Sequence, residues 1–369
     1  MTNNIFIGLM TGTSVDSLDL AAVNCIGNNL EVIGTANFDI PLDLKRKIKD
    51  NVFSKEIDQS SLQDLDNTMA LFFAENIKSF INSLSLNEKQ IVAIGSHGQT
   101  IKHEPESAIP FSLQIGNPQV ICNKLEIKTV GNFRQDDIDA GGQGAPLSPI
   151  FHQEVFQNEN ERRVIVNIGG ITNLSILGTS KIIGFDSGPG NCLLDAWIAE
   201  NKKVNFDIGG NWAKSGKVSN DLLNVFLKDN YFSSSYPKST GPDYFSLEWI
   251  KNSLDQLDYP VEPKDVQRTL TELTVITLYD SLKKINEETN AIYFCGGGVH
   301  NDFLMSRMSA QFNKKPLTTS DLGINPDFLE AICFAWLAHK RINNTRFNMG
   351  EITGSKGKVY LGRIYEPFK

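Results

Sequence analysis

A single carboxylate in the stretch IIGFDSGPGNCLLDAWI, residues 182–198, has the setting of a catalytic group. Asp186 ends an apolar run and is followed at once by a glycine–proline turn. Aspartate is disfavoured inside a strand, whereas a carboxylate makes chemical sense at a strand end, where a turn brings the main chain close to a ligand. The alternative is an aspartate that only stabilises the turn.

Three glycine-rich turns each follow an apolar, strand-like run. They are Gly12-Thr13-Ser14 with Asp16 and Asp19, Gly169-Gly170 with Thr172, and Gly296-Gly297-Gly298. Main-chain N–H groups converge in such turns, and glycine lets an anion approach closely, so the turns suit phosphate. None matches the motifs GxxxxGK[ST] or GxGxxG. A single turn of this kind usually has only a structural role, but three of them in a repeated strand–turn–strand layout favour phosphate binding.

Several polar side chains outside these turns are also candidates. The segment NPDFLEAICFAWLAHK predicts a buried helix from 326 to 342, in which Glu330 needs either a basic partner or a ligand. His97, Gln99 and His103 share the segment SHGQTIKHEP, but no third ligand at a zinc-site spacing accompanies the two histidines.

The elements that must position these residues alternate between strands and helices. The pattern strand, turn, strand opens the chain and returns at RVIVNIGGITNLSIL, although the two openings share little identity. We expect helices at about 60–83, 117–124 and 264–286, and others from about 191 and 301. Such alternation predicts a parallel or mixed sheet covered on both faces. The final GKVYLGRIY alternates like a strand, and we expect it to return to the first domain.

Length and composition narrow the classes of function. A chain of 369 residues predicts two domains, and a net charge of −8 argues against a nucleic-acid partner. The 5 cysteines are scattered and odd in number, which favours a reducing compartment. No apolar run approaches the roughly 20 residues that cross a bilayer, and the N-terminus does not read as a signal peptide. We therefore expect a cytoplasmic protein without a membrane partner.

Nine segments together resemble the motif set of the 1,6-anhydro-N-acetylmuramic acid kinases, which belong to the sugar-kinase, actin and heat-shock-ATPase superfamily. The segments are GLMTGTSVDSLD, IGSHGQTIKHEP, LQIGNPQVI, NFRQDDIDAGGQGAPLSPIFH, NIGGITNLS, GFDSGPGNCLLDAWI, PKSTGPDYF, CGGGVHN and LEAICFAWLA. The resemblance runs through nearly the whole chain, and the combination is specific although the glycine turns are not.

The resemblance implies an α/β fold of two domains with a ribonuclease H-like, actin/hexokinase-type core. The expected domains are residues 1–133 with 347–369, and 134–346, with ATP bound in the cleft between them. The implied reaction hydrolyses the anhydro bridge of the sugar and phosphorylates O6, and the implied assembly is a homodimer. An ordinary sugar kinase that cuts no bridge is the alternative.

The resemblance also implies roles for particular residues. Asp186 would be the catalytic base. ATP would be bound by Gly12, Thr13, Ser14, Val15, Asp16, Ser17, Leu18, Asp19, Gly169, Gly170, Gly296, Gly297 and Gly298. His97, Gln99, Arg134 and Glu330 would bind the sugar.

Two of these assignments have open alternatives. Arg134 suits the lactyl carboxylate of the sugar, since a guanidinium binds a carboxylate with two hydrogen bonds, but a salt bridge with Asp136 or Asp139 is equally compatible with the sequence. Asp16 or Asp19 could hold Mg²⁺ through water or could stabilise the turn.

Three positions depart from the family pattern. Ser17 stands where glycine is usual, Asn132 where aspartate is usual, and Gln135-Asp136 replace a more basic pair. The expected consequence is a change in fine geometry at the first turn and around Arg134.

Overall fold

The computed structural model describes residues 4–12, 14–27, 29–54, 58–178, 182–285 and 291–368. Its residues group into two compact units, Met1–Val155 with Phe328–Lys369, and Phe156–Asp327. The first unit therefore includes 134–155 and 328–346, which the expected division assigned to the second domain.

The first unit is built on a mixed sheet flanked by helices. Its strands are β1 (Ile5–Thr11), β2 (Ser17–Ile26), β3 (Asn29–Asp39), β4 (Ile91–Ser96), β5 (Gln99–Glu104), β6 (Phe111–Ile115), β7 (Thr129–Gly131), β13 (Phe347–Asn348), β14 (Lys358–Val359) and β15 (Arg363–Tyr365). Its helices are α1 (Leu42–Phe53), α2 (Gln59–Ser83), α3 (Pro118–Leu125), α4 (Phe133–Asp139), α5 (Ser148–Phe156), which ends at the boundary, and α13 (Leu329–Ile342).

The second unit contains a second mixed sheet. Its strands are β8 (Arg163–Ile168), β9 (Ile171–Leu177), β10 (Ile182–Pro189), β11 (Ala291–Cys295) and β12 (Leu317–Thr318). Its helices are α6 (Cys192–Lys202), α7 (Asn211–Ser215), α8 (Asn220–Leu227), α9 (Asn230–Ser233), α10 (Leu247–Leu254), α11 (Pro263–Lys284) and α12 (Asp302–Phe312).

The two sheets share one topology. The strand order is β15-β7-β4-β1-β2-β3 in the first unit and β10-β9-β8-β11-β12 in the second. In each, the first three strands pair antiparallel, and the first strand pairs parallel with the next one across a long helical connection. The expected α/β fold with mixed sheets is thus confirmed, and the weak sequence repeat corresponds to a repeated architecture.

Each face of the first sheet is covered by a helix. Ile7 and Leu9 of β1 pack into a core with α2, which presents Phe73 and Ile77. The opposite face of β1 and β4 packs against the main chain of α13, because Gly8 and Gly95 leave no side chain between sheet and helix. This packing places α13 in the first unit, and β15 joins the same sheet by pairing antiparallel with β7.

Some element boundaries differ from the expected ones. Two strands that were not predicted lie just after His97, since Gln99 begins β5, which pairs with β6. Helix α13 begins at Leu329 rather than at 326, because the side chain of Asn325 accepts a hydrogen bond from the Asp327 N–H in a preceding turn. Among the helices within the described residues, none has the length and apolar character to cross a bilayer.

Candidate active site

The glycine turns of the second unit lie at one edge of its sheet. Strands β8, β10 and β11 run in the same direction, so their carboxyl ends meet at one edge. Gly169-Gly170 follow β8, Gly190 follows β10, and Gly296–Gly298 follow β11. Ligands of open α/β sheets bind at this edge, outside the carboxyl ends of the strands.

Two of these turns are hydrogen bonded to each other. The Gly190 N–H donates to the Gly170 carbonyl, and the Asn191 N–H donates to the Gly169 carbonyl, each over 2.9 Å. The main chain at Gly169 and Gly170 is therefore fixed by the beginning of the segment that leads into α6.

The glycines of these turns differ in whether the surrounding structure leaves room for a side chain. Gly296 has φ 78°, and a Cβ there would overlap the Asn167 side chain, so local structure alone excludes a larger residue. At Gly297 a Cβ would meet nothing within 4 Å, at Gly169 nothing closer than 3.5 Å, and at Gly12 of the first unit nothing closer than 3.9 Å. Packing of side chains therefore does not require glycine at these three positions.

Asp186 lies within β10, three residues before the strand ends, and is 6% exposed; the predicted glycine–proline turn directly after it is wrong, because residues 187–189 continue the strand. It stands opposite Asn173 of β9, which in turn stands opposite Asn167 of β8, so the three polar residues form a row across the sheet. The register shifts between Asp186 and Gly188, and such a bulge re-aims the side chains beside it.

The carboxylate and main chain of Asp186 are held by residues distant in sequence. The Thr240 N–H donates to Asp186 Oδ2 over 3.0 Å, and the Tyr231 hydroxyl donates to the Asp186 carbonyl over 2.7 Å. The Asp186 N–H donates to the Lys238 carbonyl over 3.1 Å. These three residues are not among the predicted site residues, although Lys238 and Thr240 lie in the segment PKSTGPDYF.

The candidate sugar-binding residues of the first unit also meet at one edge of a sheet. Strands β1, β4 and β7 are parallel, so the turn at Gly12, the segment after β4 with His97, and Arg134 in the first turn of α4 lie at the same edge. The His97 N–H donates to the Leu9 carbonyl over 3.2 Å, which ties the β4 segment to β1.

His97 and Arg134 form a hydrogen-bonded pair. Arg134 Nε donates to His97 Nε2 over 2.8 Å, and its Nη1 donates to the Gly144 carbonyl over 2.9 Å. His97 Nδ1 lies 2.9 Å from the Gly98 carbonyl, so the imidazole carries its proton on Nδ1 and accepts at Nε2. Burial, and then the guanidinium of Arg134, hold the pKa of His97 well below its ordinary value, which keeps the ring neutral.

The carboxylates considered as partners of Arg134 are paired with another arginine. Arg363 Nε lies 3.1 Å from Asp136, and its Nη2 lies 3.0 Å from Asp139. The side chain of Gln135 also has a structural partner, since its Oε1 accepts from the Ser112 N–H over 3.1 Å. Asn132, the other departure there, takes φ 58°, a left-handed conformation that asparagine tolerates.

Glu330 lies in the first turn of α13, close to charged groups of both signs. Burial raises the pKa of its carboxyl; the nearby carboxylate of Asp19 raises it further, while the guanidinium of Arg134 lowers it. The positive end of the helix dipole favours a carboxylate at this position. Glu330 and Arg134, predicted separately, therefore belong to one electrostatic cluster.

Gln99 and His103 each have one buried side-chain atom, Gln99 Oε1 and His103 Nε2, without a hydrogen-bond partner within the described residues. Gln99 is 1% exposed, and its Oε1 has no hydrogen-bond partner within the described part of the chain. A buried acceptor without a partner is costly, so Gln99 is suited to a donor on a ligand. His103 lies 2.9 Å from the Ser112 hydroxyl, and burial followed by the charge of Arg134 lowers its pKa to about 4.

The first glycine turn is closed by a hydrogen bond from the Val15 N–H to the Gly12 carbonyl over 3.1 Å. Val15, not Ser17, takes the left-handed conformation, with φ 59°, and Ser17 begins β2. Thr13 lies outside the described residues. Ser14 is exposed, whereas the Leu18 side chain is in the core, so only its main chain could face a ligand.

The two candidate magnesium ligands already contact other side chains. Asp16 pairs with Lys45 over 2.7 Å, and Asp19 accepts from the Ser17 hydroxyl over 3.0 Å. Mg²⁺ is commonly held by one or two carboxylates with waters and substrate phosphates, and this donor set fits that pattern. Across the described ranges, no three histidine, cysteine, aspartate or glutamate side chains cluster as a metal site would.

Comparisons with known proteins match nearly the whole chain to one family. Residues 4–367 match the family described as anhydro-N-acetylmuramic acid kinase. A protein of that name from Photobacterium profundum is 39% identical over 369 residues, which covers 98% of each chain. Another from Pasteurella multocida is 41% identical over 363 residues, covering 98% of this chain and 96% of its own.

A solved structure with a distant likeness is the activator of the 2-hydroxyisocaproyl-CoA dehydratase from Clostridium difficile with bound ADPNP. It has 10% sequence identity and a TM-score of 0.45, and the likeness covers 92% of this chain and 96% of that one. A likeness at this level carries no argument about the present chain.

Proposed function

The chain belongs to the anhydro-N-acetylmuramic acid kinase family and is an ATP-dependent sugar kinase, and we propose that it also cuts the 1,6-anhydro bridge of its sugar with water. The product is then N-acetylmuramic acid 6-phosphate. The observation that supports this proposal most directly is the buried carboxylate of Asp186, oriented by the Thr240 N–H at the glycine-bearing edge of its sheet.

The proposed reaction balances with one protein base. Asp186 takes a proton from water while the water oxygen bonds to the anomeric carbon. The bond between that carbon and O6 breaks, and its electron pair goes to O6, which bonds to the γ-phosphorus of ATP as ADP leaves. An inverting hydrolase normally needs a second carboxyl to protonate its leaving oxygen. Here phosphorus captures that oxygen, so one base suffices.

The sugar-binding roles follow from the cluster in the first unit. We assign the lactyl carboxylate to Arg134, since a guanidinium gives planar, two-point recognition of a carboxylate. His97 then acts through Arg134, because it accepts the Nε–H and fixes the guanidinium plane. Gln99 and Glu330 supply hydrogen bonds to the sugar, and the unpartnered Oε1 of Gln99 supports this assignment.

The phosphate-binding role is assigned to the open glycine turns. The residues are those of the first turn, Gly12–Asp19, together with Gly169, Gly170 and Gly296–Gly298. Mg²⁺, held by Asp16 or Asp19 with phosphate oxygens and water, would neutralise charge that develops on the transferred group. The absence of any packing requirement at Gly12, Gly169 and Gly297 supports this assignment.

Product analysis in H₂¹⁸O tests the ring opening. After rapid quenching, we expect a product heavier than the anhydro sugar by one phosphate and one water, with the heavy oxygen on the anomeric carbon. Asp186→Asn should lower turnover about 10²–10⁴-fold with ATP affinity unchanged. Asp280→Asn, an exposed aspartate of the same unit, is the matched control and should behave like the parent.

Two results would contradict the proposal. An ordinary sugar kinase would phosphorylate N-acetylmuramic acid and leave the anhydro bridge intact, so a product without added water excludes ring opening. If Asp186→Asn retains more than a tenth of the turnover, Asp186 is not the base.

We also propose that the protein is a cytoplasmic homodimer, as the family resemblance implies. All 5 cysteines are free thiols, which supports a reducing compartment. Light scattering on the purified protein tests the dimer, and a monomer at micromolar concentration would contradict it.

A further inference from the structure

The segment 236–240 covers the exposed edge of β10 at Asp186. Strand β10 is the last strand of its sheet, so its outer N–H and C=O groups have no strand partner. Instead, Asp186 exchanges hydrogen bonds with Lys238 and Thr240, and the ring of Tyr236 stacks on Phe185 at 5.3 Å between centroids. The orientation of the Asp186 carboxylate therefore depends on this segment staying on the strand edge.

A buried lysine links this segment to the other support of Asp186. Lys238 Nζ donates to the Tyr231 carbonyl over 2.9 Å and lies 4.3 Å from the centroid of the Tyr231 ring. The hydroxyl of the same tyrosine donates to the Asp186 carbonyl. The Lys238 side chain thus links Tyr231 to the segment 236–240, and both contact Asp186.

We propose that Lys238 is a positioning residue for Asp186, which it holds through the ring and main chain of Tyr231 and through its own segment. This inference rests on the proposed function of Asp186 as the base. A buried ammonium group costs free energy unless it is well paired, and Lys238 is 8% exposed. Its cation–π contact and its hydrogen bond to a carbonyl are the compensation, and both act on Tyr231.

The charges around Lys238 make its effect dependent on pH. It is faced by Asp186 from β10, by Tyr231 from α9 and by Lys284 from α11. Burial, and then the charge of Lys284, lower the pKa of Lys238 to about 8, against the opposite effect of Asp186. Above pH 8 the ammonium group loses its proton, the cation–π contact is lost, and Tyr231 is held less firmly. We therefore expect turnover to fall on the alkaline side.

Two substitutions at Lys238 and one at a neighbouring lysine test the proposal. Lys238→Met keeps the length of the side chain without its charge, and should lower kcat at pH 7 at least tenfold with little change in the KM for ATP. The same variant should lack the alkaline fall near pH 8. Lys238→Arg keeps the charge and should restore most of kcat while moving the alkaline fall to higher pH.

The matched control is Lys284→Met. Lys284 Nζ donates to the Phe232 carbonyl over 2.6 Å, one residue beyond the carbonyl that Lys238 contacts, and Phe232, unlike Tyr231, has no hydrogen bond to Asp186 among those of the described residues. At pH 7 its removal should leave kcat within about twofold of the parent, whereas loss of its charge should raise the pKa of Lys238 and move the alkaline fall to higher pH.

The outcomes separate this inference from the proposed function. If Asp186→Asn is inactive while Lys238→Met keeps the parental kcat and alkaline fall, the inference about Lys238 alone is wrong. If Asp186→Asn remains active, the proposed function is wrong. If Lys238→Met does not fold, Lys238→Arg decides, and an alkaline fall at the parental pH in that variant overturns the inference.

Discussion

In the proposed site, His97 acts on the sugar only through Arg134. Both ring nitrogens face groups of the protein, Nδ1 the Gly98 carbonyl and Nε2 the Arg134 Nε–H. The ring is neutral, so it accepts from Arg134 without adding a competing charge. Its contribution is the direction of the guanidinium group.

Removing that acceptor should weaken sugar binding selectively. His97→Phe keeps a flat ring but leaves Arg134 Nε without its acceptor, and hydrogen bonds to charged groups contribute about 1.5–3 kcal/mol. We expect the KM for the anhydro sugar to rise about tenfold to a hundredfold, with the KM for ATP unchanged. His103→Gln is the control. Equal increases in both KM values would show a general loss of structure instead.

The sequence reveals the site residues that belong to recognisable motifs, and it does not reveal those recruited by folding. Asp186, Arg134 and Glu330 stand in segments whose composition already suggests chemistry. Tyr231 lies in none of the nine motif segments, and Thr240 lies in one that indicated no contact with Asp186; the two residues follow Asp186 by 45 and 54 positions. Their contacts exist only because a long segment returns to the edge of β10, and no spacing rule in the chain specifies that return.

At the scale of elements, the contact between α13 and its sheet determines where Glu330 lies. Gly8 of β1 lies against the main chain of Ala331, the residue after Glu330, and Gly95 of β4 lies against the Phe334 carbonyl. The helix main chain therefore rests directly on the strands, and any side chain at these glycines would move it away.

Gly8→Ala should consequently disturb both stability and sugar binding. The added methyl would overlap main-chain atoms of Ala331 and Ala335, which cannot rotate away. We expect a loss of about 1–3 kcal/mol or more in the free energy of unfolding, measured with urea, and a higher KM for the sugar. Gly350→Ala is the control, because its Cβ would meet nothing closer than 3.4 Å. Unchanged stability in Gly8→Ala would contradict this close packing.

The sequence predicts individual strands and helices better than it predicts the order of the strands in each sheet. Apolar runs of the right length identify β1, β8 and β11, and helix signals place α11 within two residues. The hairpin of β5 and β6 was missed, because its strands are half-polar and look like a loop. The order of the strands depends on long-range pairing, which local periodicity does not specify.

At the scale of the whole molecule, buried neutral histidines make stability depend on pH. Burial lowers the pKa of His103 to about 4 and of His152 to about 3, and that of His97 is also well below 6.5. Below pH 6.5 the unfolded chain binds protons at these positions and the folded chain does not. Stability contributed by these groups is therefore lost as the pH falls from 6.5 toward 4.

Comparison of the parent with His103→Gln isolates one of these contributions. One unit of pKa corresponds to about 1.4 kcal/mol, so between pH 7 and pH 4 the parent should lose about 3 kcal/mol more than the variant. Urea unfolding at several pH values measures the difference. Parallel curves for the two proteins would show that His103 is not kept neutral by the fold.

The path of the chain has a consequence for synthesis. The second unit is a continuous stretch, Phe156–Asp327, while the first is completed only by Phe328–Lys369. During synthesis on the ribosome, the second unit can therefore fold while the first unit still lacks α13. The sheet face at Gly8 and Gly95 is then not covered by a helix. That face stays exposed to solvent until residues 328–369, which include α13, have been synthesised.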